Sequence, residues 1–241
     1  MADESVPCFK ITVDMEAIVN GGHPMLPSPT KLEIDHRTLK LLVGLIALSM
    51  PSLTSLLTQP KIASISESYH RGGWAQSIFV GFLFAIAAFL LAYNGLSRSE
   101  MVLSKVAAVG ALGVALFPCD CGGHAQAVPY LHFASAAVMF LILAYFCYVF
   151  YGRARGKGHT EANRRAFVYA ASGFAILASM LTMAIDTLFP RVLSTIPRLV
   201  FYCEGTALVA FGISWLTASH TVPVLTRSDE RFSPLGTTSN Q

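Results

Sequence analysis

The side chains of this sequence best suited to chemistry are Glu67, His70, Asp120, His124, His132, Asp186 and Glu204. Histidine nitrogen and carboxylate oxygen are ordinary zinc ligands, and a catalytic zinc keeps one coordination position open for water. His70, His132 and one of His124, Asp120 or Glu204 would supply three ligands. Asp186 or Glu204 would then serve as general base, or orient a ligand from behind. The sequence has no His-x-x-x-His on one helix and no paired Cys-x-x-Cys. The ligands would therefore have to be brought together from separate elements.

Those elements are set by composition. Of 241 residues, 54% are hydrophobic and only 13% charged, against about 25% charged in an ordinary soluble domain. Too little charge is present to cover a water-soluble surface, which excludes a soluble globular fold. The formal charge of +3 does not point to nucleic acid, because the basic residues flank apolar segments as they do in membrane proteins. Six apolar stretches approach the roughly 20 residues needed to cross a bilayer. They are Thr38–Leu57 with a kink expected at Pro51, Trp74–Leu96, Met101–Phe117, Val128–Tyr151, Arg165–Phe189 and Ile196–Ala218. None alternates in polarity as a barrel strand would, and backbone groups in hydrocarbon must be satisfied within the segment. The expectation is an all-α polytopic bundle over 38–218, between a polar extension over 1–37 and a polar tail over 219–241. A short strand around Phe9–Val13 is the one element expected within the extension.

Basic residues orient the bundle. Lys31, Arg37, Lys40, Arg98, Lys105, Arg153, Arg155, Lys157, Arg164, Arg165, Arg227 and Arg231 share one side. Only Lys61, Arg71, Arg191 and Arg198 fall on the other. The positive-inside rule then puts both termini in the cytoplasm. The loops 58–73, 118–127 and 190–195 face outward, and every chemistry-bearing residue named at the start falls on or near them. No comparable acid or histidine is expected deep in the cytoplasmic half. Charge inside a membrane helix is costly unless paired, hydrated or metal-bound, so Asp186 and Glu204 should face the bundle interior. Convergence of the group would make an outward-opening polar pocket. Taken singly, each residue is equally well explained by a local interhelical hydrogen bond, or by pairing with Arg191 or Arg198.

The five cysteines, Cys8, Cys119, Cys121, Cys147 and Cys203, are odd in number and irregularly spaced, which is no disulfide framework. Cys147 and Cys203 should pack as small hydrophobes. Cys119-Asp120-Cys121-Gly122-Gly123-His124 reads as a metal-binding or redox turn, or as a flexible loop with two thiols, and the loop reading is favoured. Tyr145, Tyr148, Phe150 and Tyr151 read as an interfacial aromatic belt, as do Tyr69 and Trp74 on the other side.

Several segments resemble a family of small bacterial membrane proteins of unknown function. They are Ser64-Ile65-Ser66-Glu67-Ser68-Tyr69-His70, the run Phe79–Leu90, Gly113-Val114-Ala115-Leu116-Phe117-Pro118, His132-Phe133, Glu204-Gly205-Thr206-Ala207-Leu208 and Phe211-Gly212-Ile213-Ser214-Trp215. The resemblance implies a multi-pass fold in a bacterial inner membrane and the same outward polar cluster, and it implies no activity. Ser66-x-x-x-His70 also resembles the first element of the superfamily that holds alkaline ceramidases and progestin/adiponectin-type receptors, with Asp120 standing for the aspartate. That resemblance implies a zinc site acting on a lipid amide, with Ser66 part of it. The last segment carries Glu204 where that superfamily has His-x-x-x-His.

Two function classes follow. One is a zinc-dependent hydrolase of a lipid amide or ester at the outer leaflet. The other is a transporter, receptor or partner subunit that uses the same polar site for binding alone. A haem held by His70 and His132 is a minor third reading.

Overall fold

A computed structural model of the chain describes residues 35–119, 127–189 and 196–232. Among them the secondary structure is entirely helical. The helices are α1 (His36–Leu56), α2 (Ser68–Arg71), α3 (Gly73–Ala92), α4 (Arg98–Leu116), α5 (Ala127–Arg155), α6 (Thr160–Leu188) and α7 (Leu199–Ala218), followed by a 3-10 turn at Pro223–Leu225. All but α2 are long and apolar enough to span a membrane, which makes six spans. The expected strand around Phe9–Val13 lies outside the described residues.

The helix starts are explained by caps rather than by hydropathy. Asp35 opens α1: its Oδ1 accepts from Arg37 N at 2.9 Å and its Oδ2 from the Thr38 hydroxyl at 3.1 Å. Residues 35–37 therefore belong to the bundle and not to the extension. α4 begins three residues earlier than its apolar run because Ser97 caps it, with Glu100 reaching back to accept from Leu96 N at 3.2 Å. Ser97 Oγ accepts from Glu100 N at 3.3 Å and donates to Glu100 Oε1 at 2.8 Å, so the two residues satisfy each other at the helix start. His159 caps α6 through Ala162 N at 3.2 Å, and that helix takes in the polar turn Thr160–Arg164. α1 continues through Pro51.

The spans form a closed ring. Each packs on the spans before and after it in sequence, and α7 returns to pack on α1. The closing seam is built on two glycines. A methyl placed on Gly212 would lie 2.7 Å from Leu48 Cγ and 2.9 Å from the Gly44 carbonyl oxygen. Small residues at such a seam let helix backbones approach within contact distance.

Inside the ring, Trp215 is fully buried, with ring centroids 5.3 Å from Tyr93, 6.0 Å from Phe146, 6.3 Å from Phe150 and 5.3 Å from Phe211. Phe150 is thus a core residue and not part of an interfacial belt. Tyr148 and Trp74 are exposed as expected for a belt. Cys147 and Cys203 are buried and unpaired by disulfides.

The topology places residues 36, 93–98, 155–160 and 218 at one end, here the basic end. Residues 57–73, 117–119 and 196–198 lie at the other, the histidine end. The expected polar tail is, over residues 219–232, packed structure. Glu230 accepts from Lys157 at 2.6 Å and from Arg165 at 2.9 Å, and Phe232 N donates to His220 O at 3.1 Å.

Candidate functional site at the histidine end

The 57–72 segment is not a solvent loop. Ile62 and Ile65 are fully buried and drive it into the end of the bundle. Its backbone there loses water and must find other partners, and α7 supplies them. Arg198 Nε donates to Ile62 O at 2.7 Å, and Phe201 N donates to Ala63 O at 3.0 Å. Glu204, partly buried, accepts from Ile65 N and, at 3.4 Å, from Ser66 N through one oxygen, and from the Ser66 hydroxyl at 3.0 Å through the other. Glu67 closes the turn locally, accepting from Ala63 N at 2.6 Å and pairing with Arg71 at 2.5 Å.

Proton counting orders the serines. Ser66 spends its one hydroxyl proton on Glu204, so across the 3.2 Å contact Ser64 must donate to Ser66. Ser64 in turn accepts from Glu67 N at 3.1 Å. The chain of donors runs Glu67 N–H, Ser64, Ser66, Glu204. Both oxygens of Glu204 and the proton of Ser66 are used in holding the turn, which describes a clasp between α7 and the 62–67 segment.

The same turn leads into α2 and presents His70. His70 Nε2 lies 3.2 Å from Cys119 O, and His132 Nδ1, on the first turns of α5, lies 2.7 Å from Phe117 O. A carbonyl oxygen can only accept, so each of these ring nitrogens carries the proton. In the neutral rings the lone pair then sits on Nδ1 of His70 and Nε2 of His132. Two histidines from distant parts of the chain thus grip carbonyls two residues apart, on the stretch Phe117-Pro118-Cys119 that follows α4 and leaves it extended at Phe117. His132 is buried, at 3% exposure, and Cys119 at 2%.

Asp120 and His124, the other expected ligands, lie outside the described residues, as do Cys121 and Arg191. Asp186, partly buried near the end of α6, is within electrostatic reach of Cys203 on α7, and it has no hydrogen-bond or ion-pair partner among the described residues. Arg198 pairs with neither Glu204 nor Asp186. Its guanidinium serves Ile62 and lies 4.2 Å from the Phe201 ring. Among the described residues no three His, Cys, Asp or Glu side chains lie close enough to share a metal ion.

Sequence reasoning found the histidines and carboxylates but missed their partners, which are backbone groups of Phe117, Cys119 and Ile65. It also missed the basic end. Glu100 is buried there at 2% exposure and paired with Arg153, which corrects the expectation that the acids and histidines gather only at the opposite end. The capping motif Ser97-x-x-Glu100 was the available signal.

Comparison of the chain with family models, with curated proteins and with solved structures returned no match. The six apolar helices define the class: an integral, multi-pass membrane protein.

Proposed function

We propose that the histidine end faces away from the cytoplasm and holds a zinc ion through His70 and His132, with Asp120 or His124 completing the set, for hydrolysis of a lipid amide or ester. The observation that carries this reading is the pair of imidazoles on the Phe117 and Cys119 carbonyls. A hydrogen bond from one ring nitrogen to a backbone carbonyl is the usual way a ligating histidine is oriented and its other nitrogen made basic. Both rings point to the segment that continues directly into Asp120 and His124. The basic residues at the opposite end support the orientation.

A bound zinc would supply a water activated at neutral pH. Asp186 is the carboxylate left for proton transfer, since Glu204 and Ser66 are engaged in the clasp. Their part is to position His70, four residues beyond Ser66.

A second reading, binding without chemistry by a transporter, receptor or partner subunit, is favoured by that same engagement of Ser66 and Glu204. Metal analysis of the purified chain separates the two. The hydrolase reading expects stoichiometric zinc, lost in His70→Ala and His132→Ala, and turnover of a lipid amide or ester in mixed micelles that falls with Asp186→Asn. Protein free of any transition metal sinks it. Zinc without turnover leaves the binding reading.

A further inference from the structure

At the basic end a cavity of about 200 Å³ opens between the helices, and its charged lining is all cationic: Lys40, Arg153, Lys157 and Arg165, with His220 and the phenol of Tyr169 beside them. Arg153 is engaged on one side by Glu100, and Lys157 and Arg165 by Glu230. Neither carboxylate lines the cavity. Counting Glu100 and Glu230 against Lys40, Arg153, Lys157 and Arg165 leaves two positive charges uncompensated.

Lys40 is the decisive residue. It is half-buried on α1 and forms no ion pair or hydrogen bond among the described residues. Its ammonium lies over the rings of Tyr93 at 5.4 Å and Phe150 at 5.1 Å. Glu100 and Asp35 are within electrostatic reach but not in contact. A cation at this depth is costly unless something neutralises it. His220 adds a second unmet demand: its Nδ1 is buried with no hydrogen-bond partner, 3.9 Å from the nearest Glu230 oxygen. Such an orphan is destabilising until an acceptor or donor reaches it.

We propose that this cavity is a binding site for a phosphate dianion, carried by a lipid headgroup or free in solution, held by Lys40, Arg153, Lys157 and Arg165 with His220 Nδ1 on one of its oxygens. Basic pockets between spans on the cytoplasmic side suit phosphorylated headgroups. Paired guanidinium and ammonium donors suit the oxygens of phosphate from any source.

The test is thermal unfolding of the full chain, read in two arms. In uncharged detergent, inorganic phosphate is titrated against sodium chloride at matched ionic strength. In phosphatidylcholine vesicles, the chain is compared with and without phosphatidic acid. A saturable rise in midpoint with phosphate assigns a soluble anion, and a rise with phosphatidic acid alone assigns a headgroup. In either arm Lys40→Gln should bind roughly tenfold more weakly, the loss expected for one charge-assisted hydrogen bond, while Lys61→Gln at the far end should bind as the unaltered chain does. Should Lys40→Gln not fold, phosphorus-31 line broadening of phosphate by the unaltered chain, reversed by sulfate, gives the soluble arm without a variant, and Lys157→Gln replaces it in the vesicles. No shift in either arm, or an undiminished shift in Lys40→Gln, overturns the proposal.

Discussion

Glu204 on α7 and Ser66 in the buried turn meet through side chain and backbone together, with hydroxyl to carboxylate at 3.0 Å and amide to carboxylate at 3.4 Å. The pair fastens a segment that would otherwise leave backbone donors unmet at the end of the bundle. In Glu204→Gln the amide oxygen can take the Ile65 and Ser66 amides, but its NH2 then faces the Ser66 hydroxyl, which must turn to accept and leaves its own proton without the carboxylate. Loss of stability of about 1–3 kcal/mol is expected, with Ser66→Ala nearer 1 kcal/mol. Denaturant unfolding in bicelles measures both. A Glu204→Gln chain as stable as the original yet inactive would make Glu204 a reacting group and not a clasp.

Gly212 tests the ring closure. Alanine there places a methyl 2.7 Å from Leu48 Cγ and 2.9 Å from a backbone oxygen of α1, and overpacking of this kind costs about 1–3 kcal/mol. Gly81→Ala on α3 meets nothing within 4 Å and should leave the unfolding midpoint unchanged or slightly raised. Equal midpoints for the two variants would mean that the seam is looser than its geometry.

Glu100→Gln should weaken the basic end. Its carboxylate takes the Leu96 amide, the Ser97 hydroxyl and the Arg153 guanidinium together, and breaking a buried pair leaves the partner charge uncompensated. Arg153 keeps a third of its side chain exposed, so about 2–3 kcal/mol is expected rather than the full cost of a dry pair. Arg153→Gln in the same background should add less than it does alone, which a double-mutant cycle reads directly.

The packed C-terminal segment predicts two separate losses in acid. Burial first, and then the cations Arg165, Arg37 and Lys157, against Glu230 on the other side, hold His220 down at about 4 from 6.5. The unfolded chain therefore takes up this proton before the folded one, and stability falls as pH drops from about 6.5 to about 4. Glu230 is held at about 2 by its hydrogen bond from Lys157 and then by Arg165, against its burial. Its contribution is complete above about 4.5 and drains away as pH falls toward 2. Unfolding midpoints across this range should lose the upper slope in His220→Gln and the lower one in Glu230→Gln. A midpoint flat from pH 6.5 to 4 in the unaltered chain would contradict the buried neutral His220.

The fold was legible because bilayer physics writes it into composition: a span needs about 20 apolar residues, and six such runs can be counted directly. The ends were less so. Hydropathy begins α4 at Met101 and α6 at Arg165, whereas Ser97 and His159 start these helices through side-chain caps. At the histidine end, residue types pointed to His70, His132 and Glu204, but not to what they hold, because the partners are backbone carbonyls and amides that every sequence possesses. Lys40 was read only as one of many orienting charges. Its isolation emerges only when α1, α4 and α5 are set side by side.

The closing of α7 onto α1 has a bearing on how the chain is made. Synthesis delivers α1 well before α7, so one flank of α1, with Gly44 on it, stays without that neighbour until α7 has entered the membrane. The turn carrying Ser66 waits as long for Glu204. Assembly of this bundle is therefore gated by α7: a ribosome that stops short of residue 199 leaves an open seam and an unfastened histidine end.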